Sequence, residues 1–138
     1  GSELTKAQIS QGADVVYAAA GGTGVGVLQT AADEGILSIG VDSNQNHLHS
    51  GKVLTSMMKR VDVAVYDTMK AGADVATGGF TTLGLAEEGV GYALDEHNAA
   101  LVSDEMKAAV DAAREKIISG DLEVVAYYTN DSCPALDF

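Results

Sequence analysis

Two apolar runs between residues 15 and 42 decide the fold. Val15-Val16-Tyr17-Ala18-Ala19-Ala20 leads into Gly21-Gly22-Thr23-Gly24, and Gly35 later precedes Ile36-Leu37-Ser38-Ile39-Gly40-Val41-Asp42. The first run is continuous rather than alternating, which predicts a strand buried on both faces of a parallel sheet. Between the runs, Val27, Leu28 and Ala31 share one helical face over residues 25–34, and Gly35 is a C-terminal stop. Residues 36–41 predict the second buried strand, ending at Asp42. Strand, turn, helix and strand in so short a span predict a right-handed parallel crossover. Ligands of open α/β sheets sit at the carboxyl ends of the strands. Two loops occupy that edge, residues 21–24 and 42–45.

Working outward, residues 3–11 predict a short helix with Leu4 and Ile9 as its apolar contacts, closed by Gly12. Residues 43–51 are polar turn formers, 52–56 a short strand, and 61–71 a helix closed by Gly72. The glycine-rich stretch 73–91 is ambiguous, with short strand candidates at 81–85 and 90–94. Ser103 is an N-cap, with Asp104 and Glu105 in the first turn of a helix that runs to Ser119 and stops at Gly120. Residues 122–128 predict a last strand and 129–138 an irregular tail. Gly12-Ala13-Asp14-Val15 recurs as Gly72-Ala73-Asp74-Val75, an echo too short to establish a repeat.

The 138 residues suit one domain of ordinary size. With 46% hydrophobic against 20% charged residues, wholesale disorder is excluded. Lys and Arg number 8 against 20 Asp and Glu, a net charge of −12, which argues against nucleic acid or an anionic membrane surface as partner. No apolar run approaches the ~20 residues of a membrane span. No secretion leader is visible, but Gly1-Ser2 reads as a cloning remnant, so that absence decides nothing. A lone Cys133 excludes an internal disulfide; it reads as a free thiol, or else as one end of an intermolecular bridge.

Gly22 and Gly24 begin a dinucleotide fingerprint, but the third glycine position holds Val27, and no Gly-Lys-Ser/Thr makes a phosphate loop. Three readings of the turn stay open: a nicotinamide cofactor, a tight turn with no ligand, or a small-ligand site built on amides at a helix N-terminus. Asp42 follows Gly22 by about 20 residues, where a ribose-binding acid would stand. It could accept two hydroxyls of a vicinal diol or serve as a loop acid. Lys59 and Arg60 oppose the macrodipole at a helix start, so either a ligand uses a charge there or both are solvated. His47 and His49 lack further ligands at metal spacing and read as a solvated loop. His97 reads as structural. No nucleophile elbow or carboxylate pair suggests catalysis.

Taken together, Ala20-Gly21-Gly22-Thr23-Gly24, Gly40-Val41-Asp42-Ser43-Asn44-Gln45 and Gly51-Lys52-Val53-Leu54-Thr55-Ser56-Met57-Met58-Lys59-Arg60-Val61-Asp62 resemble the basic membrane protein family. These are substrate-binding lipoproteins of ABC importers for purine and related nucleosides. Gly89-Val90-Gly91-Tyr92 and the late helix fit as well, so the resemblance covers nearly the whole chain. Ser50 stands where the family has Pro. The resemblance implies the periplasmic-binding-protein type I fold, with two flavodoxin- or Rossmann-like lobes joined by three crossovers and the ligand in the cleft. This α/β chain would be an incomplete, C-terminal portion. Residues 1–56 would belong to the C-terminal lobe, 57–120 would cross to the N-terminal lobe and its helices, and 121–138 would be the final strand and tail.

The resemblance further implies a site: Gly21 or Gly22 letting the backbone approach the sugar, Asp42 accepting ribose hydroxyls and Lys59 donating to the same ribose. Base recognition would fall to the absent N-terminal half. No cofactor, metal or catalysis is expected on this reading. The partners would be a nucleoside and an inner-membrane ABC permease, and the whole protein would be periplasmic or on the cell surface, held by a lipid. A half-protein with an uncovered sheet edge is expected to form a homodimer, swapped or not. Two rival readings are a Rossmann-like nicotinamide-dependent enzyme and a flavodoxin-like regulatory domain with no small ligand.

Overall fold

A computed structural model describes residues 1–75 and 78–125. Helix α1 (Ser2–Ser10) precedes strand β1 (Val15–Tyr17), helix α2 (Thr23–Asp33) and strand β2 (Leu37–Asp42). A 3-10 turn (Asn46–His49) leads to β3 (Val53–Lys59), then α3 (Val61–Ala71) and a second 3-10 turn (Gly72–Val75). Strand β4 (Val90–Tyr92) and helix α4 (Asp104–Ser119) complete the described elements.

The sheet has the order β1-β2-β3-β4. β1 and β3 both run parallel to β2, with Tyr17 opposite Ile39 and Asp42 opposite Met58, while β4 is antiparallel to β3. Helix α2 is the crossover between β1 and β2. Its Val27, Leu28 and Ala31 are buried as their spacing predicts, and Val16 packs with Val27 and Ala31 in one apolar cluster. Gly35 ends the unit at φ +82°, a conformation that favours glycine. Val41, Val53 and Ala93 are buried on the strands or just beyond them.

Several expectations are corrected. β1 stops at Tyr17 rather than Ala20 and is buried only at Val16, so it is not covered on both faces; Tyr17 is 52% exposed. Val16 packs toward α2, while Val15 and Tyr17 on the other face are largely open. Leu4 is exposed, and α1 instead buries Thr5, whose hydroxyl donates to the Gly1 carbonyl while Ser2 Oγ donates to Gly26 O on α2. Residues 81–85 form no strand. Gly89 N–H donates to Gly84 O and Gly84 N–H to the Glu87 carboxylate, which closes a local loop just before β4. Residue 56 lies inside β3, and β4 pairs antiparallel with β3 in the same sheet. Residues 122–125 are not strand; residues 126–128 of that expected strand, the tail and Cys133 lie outside the described residues.

Helix α3 has the expected bounds, and α4 has its expected caps: Ser103 Oγ accepts from Met106 N–H, and Gly120 takes φ +83°. Neither helix has a buried residue. Tyr66 and Met69 on α3 are 64% and 76% exposed, so that helix has the spacing of a packed element but leaves most of its apolar side chains open. No described helix is long and apolar enough to cross a membrane.

Candidate functional site

The carboxyl ends of β2 and β3 lie side by side because the strands are parallel neighbours. β2 ends in Asp42 and β3 in Lys59, and Lys59 Nζ is 2.7 Å from Asp42 Oδ1. About half of each side chain is open to solvent, 60% for Lys59 and 49% for Asp42. The Asp42 carboxylate, by hydrogen bond first and by charge second, raises the Lys59 ammonium above its ordinary pKa, so the lysine is cationic throughout the neutral range. The pair opens on a cleft of about 370 Å³ lined by Ser43, Asn44 and Met58 and by residues 60–62 at the start of α3.

Asp42 is strained. In an unbroken ladder its neighbour is Met58, and Lys59 would point to the opposite face. Asp42 instead has φ +71°, and Ser43 N–H donates to Val41 O across it at 2.9 Å. That bond and that φ match the tight γ-turn with positive φ, a costly conformation for a residue with a Cβ. The turn sits at the last paired residue of β2, beside the end of β3 where Lys59 stands.

A polar network fastens the loop behind it. Gln45 Oε1 accepts from Val41 N–H at 2.9 Å, and Gln45 N–H donates to Ser56 Oγ. Ser56 Oγ donates to Asn46 Oδ1 at 2.8 Å; Ser56 and Asn46 are fully buried. Asn44 and Asn46 both donate their side-chain amides to Asp95 Oδ2, at 2.7 and 3.0 Å. Asp95 Oδ1 accepts from His97 N–H, and Asp95 N–H donates to Asn98 Oδ1. Asn98, fully buried, donates to Leu54 O and Ala93 O. Gly40 is required by this packing, since a Cβ there would stand 2.6 Å from Ser56 Oγ and 2.9 Å from Gln45 Cβ.

Gly21 and Gly22 sit at the same edge, between β1 and α2, and do not line the cleft around the pair. Gly21 has φ +53°, which favours glycine; Gly22 has an ordinary helical φ of −59°, and a Cβ there would meet nothing. The amides of Thr23, Gly24 and Val25 donate to the carbonyls of Ala20, Gly21 and Gly22, so this helix start uses three of its donors internally. Val27, where a dinucleotide fingerprint has its third glycine, is a core residue. Arg60 pairs through Nε and Nη2 with the Asp62 carboxylate, which holds the aspartate below the usual carboxylate range and offsets the cation at the α3 start. His47 and His49 lie on one 3-10 turn, and no group of three or more His, Cys, Asp or Glu among the described residues is placed to hold a metal.

The resemblance nominates Asp42 and Lys59, whose side chains meet in the structure, but nothing in the sequence marks the network behind them. Asn46, Ser56, Asp95 and Asn98 carry no motif, although Asp95 and Asn98 have the spacing of a polar turn that bonds its own backbone.

Residues 1–127 match the model of a family described as Bmp, ABC transporter substrate-binding protein PnrA-like. The chain is 33% identical over 144 aligned positions to the CD4+ T-cell-stimulating antigen of Listeria monocytogenes, covering 90% of this chain and 39% of that protein. It is 43% identical over 91 positions to an uncharacterized lipoprotein of Pyrococcus abyssi, covering 61% of this chain and 22% of that one. Among solved structures, an ABC transporter system solute-binding protein from Aeropyrum pernix K1 superposes with a TM-score of 0.71 at 28% identity, over 90% of this chain and 43% of that one. The chain therefore spans less than half the length of these proteins.

Proposed function

The chain belongs to the PnrA-like family of ABC transporter substrate-binding proteins, and on that premise we propose that it carries the sugar-gripping part of a purine-nucleoside site in an interlobe cleft. The observation that carries this reading is the 2.7 Å contact of Asp42 with Lys59 at the ends of adjacent parallel strands. A ribose diol presents two donors and several acceptors. A carboxylate accepts the donors and an ammonium serves the acceptors, so the ligand replaces an ion pair that is weak because it is solvated. Gly22 supports the same reading, because no described neighbour requires a glycine there.

The rest of the reading concerns the longer protein. Helix α3, with no buried residue, suits a segment that crosses to a first lobe, which would supply the base-binding residues. Cleft closure would then present a closed form to a membrane permease. No chemical step is assigned to the protein. A lipid anchor and a periplasmic or cell-surface location fit the relative named as a lipoprotein. Alone, this chain leaves β1 and β4 each with one paired neighbour in the described sheet, which favours a homodimer.

The test is calorimetric titration of the full-length protein with adenosine, guanosine and inosine, beside NAD. Binding of a nucleoside that weakens about tenfold or more in Asp42→Asn supports the reading. Binding of NAD alone, or nucleoside binding indifferent to Asp42, overturns it.

A further inference from the structure

We propose that Asp95 is a positioning residue for this site: by holding Asn44 and Asn46 it keeps the Asp42 turn in the strained conformation that aims the carboxylate at Lys59 and at a ligand. The inference rests on the nucleoside reading for its consequence, but not for its geometry.

A positive φ at a residue with a Cβ persists only where the surroundings over-determine it. Residues 41–46 supply one part of that constraint through the Gln45 side chain on Val41 N–H and the Ser43 to Val41 bond. Both are local and would move with the loop. The loop is fixed to the sheet at two points: Gln45 N–H and Asn46 Oδ1 are bound to Ser56 Oγ on β3, and a second hold comes through Asp95. Asp95 follows β4 in the chain, and its backbone is tied through Asn98 to Leu54 on β3 and to Ala93. Its carboxylate is thus anchored to the sheet independently of the loop, and one oxygen, Oδ2, receives both asparagine amides. The two asparagines flank Gln45, the residue that reaches back to β2.

An acceptor on both oxygens is essential. Oδ2 takes two N–H donors and Oδ1 takes the His97 amide. An asparagine at 95 keeps the shape but offers one oxygen, so its NH2 group faces an N–H donor in either orientation. Asp95→Asn therefore releases one side of the fastening while filling the same volume.

The test uses the full-length protein and two readouts. Hydrogen exchange of the amides of Val41, Ser43, Gln45 and Asn46 reads the fastening without any ligand. In Asp95→Asn their protection is expected to fall on the order of tenfold, the equivalent of about one hydrogen bond, with protection in β1 and α2 unchanged. Unchanged protection in the loop overturns the proposal. Asn44→Ala, which leaves Asp95 two of its bonds, is the milder variant should Asp95→Asn not fold, and it should shift the same amides in the same direction.

Calorimetry with inosine, guanosine and adenosine reads the consequence. Asp95→Asn is expected to weaken nucleoside binding about tenfold in the parent and less than threefold when Asp42 is already Asn, because its effect acts through that carboxylate. Equal losses in both backgrounds overturn the positioning role. If the parent protein binds none of the three nucleosides, the functional reading fails, while the exchange result still decides whether Asp95 holds the turn.

Discussion

Lys59 Nζ meets Asp42 Oδ1 at 2.7 Å although neither residue is the other's partner in the sheet ladder. Met58 occupies that place, and Asp42, the last residue of β2, has φ +71°. A carboxylate held in an unfavourable backbone conformation beside an ammonium, half open to solvent, contributes little to folding. Its value is therefore to be sought in binding.

Removing either charge should show that. In the full-length protein, Asp42→Asn and Lys59→Met are each expected to lower nucleoside affinity on the order of 10–100-fold, with little change in melting temperature. A nucleoside lacking both ribose hydroxyls should bind the parent weakly and be nearly indifferent to Asp42→Asn. Calorimetry with matched ribo- and dideoxynucleosides measures both effects.

Two glycines should separate fold from site. Gly40→Ala forces a Cβ against Ser56 and Gln45 and is expected to destabilise by about 1–3 kcal/mol in urea unfolding. Gly22→Ala meets open space at an ordinary φ and should change stability by less than about 0.5 kcal/mol. A fall in nucleoside affinity in Gly22→Ala, with stability intact, would mark close approach of the ligand to that backbone.

Acid should loosen the loop through Asp95. The Asn44 amide first, and then the His97 backbone amide and Asn46, hold its carboxyl below the usual carboxylate range despite partial desolvation. A depressed folded-state pKa adds stability that is fully present above the unfolded value and disappears as pH falls through the folded one. Urea midpoints measured from neutral pH down to about pH 2 should therefore drop less steeply in Asp95→Asn than in the parent. The Lys59 shift has the opposite sign, so its contribution is complete below the ordinary lysine pKa and fades only in strong alkali.

The uncovered β1 face and the unburied α3 predict self-association of this chain by itself. Light scattering is expected to give a dimer, and a monomer at high concentration would show that the apolar residues of α3 tolerate water. Leu28→Ala in the α2 core should cost roughly 2–5 kcal/mol whichever state is present.

The βαβ unit was legible in the order of residues because its signals are local. Val27, Leu28 and Ala31 share a face at helical spacing, Gly35 needs positive φ, and apolar runs make parallel strands. The caps of α4 and the bounds of α3 were legible for the same reason. Asp42 and Lys59 were nominated by a resemblance over nearly the whole chain, although the expected strand stopped at Ser56 and β3 carries on to Lys59. What the order of residues could not carry was everything decided by partners distant in the chain. Exposure of β1 and α3 depends on what packs over them, which no local period encodes. The backbone turn at Asp42 and its fastening by Asp95 depend on hydrogen bonds across about fifty residues, between groups whose types are common in any polar loop. Only the folded chain brings those donors and acceptors to one place, and their geometry then decides where the carboxylate points.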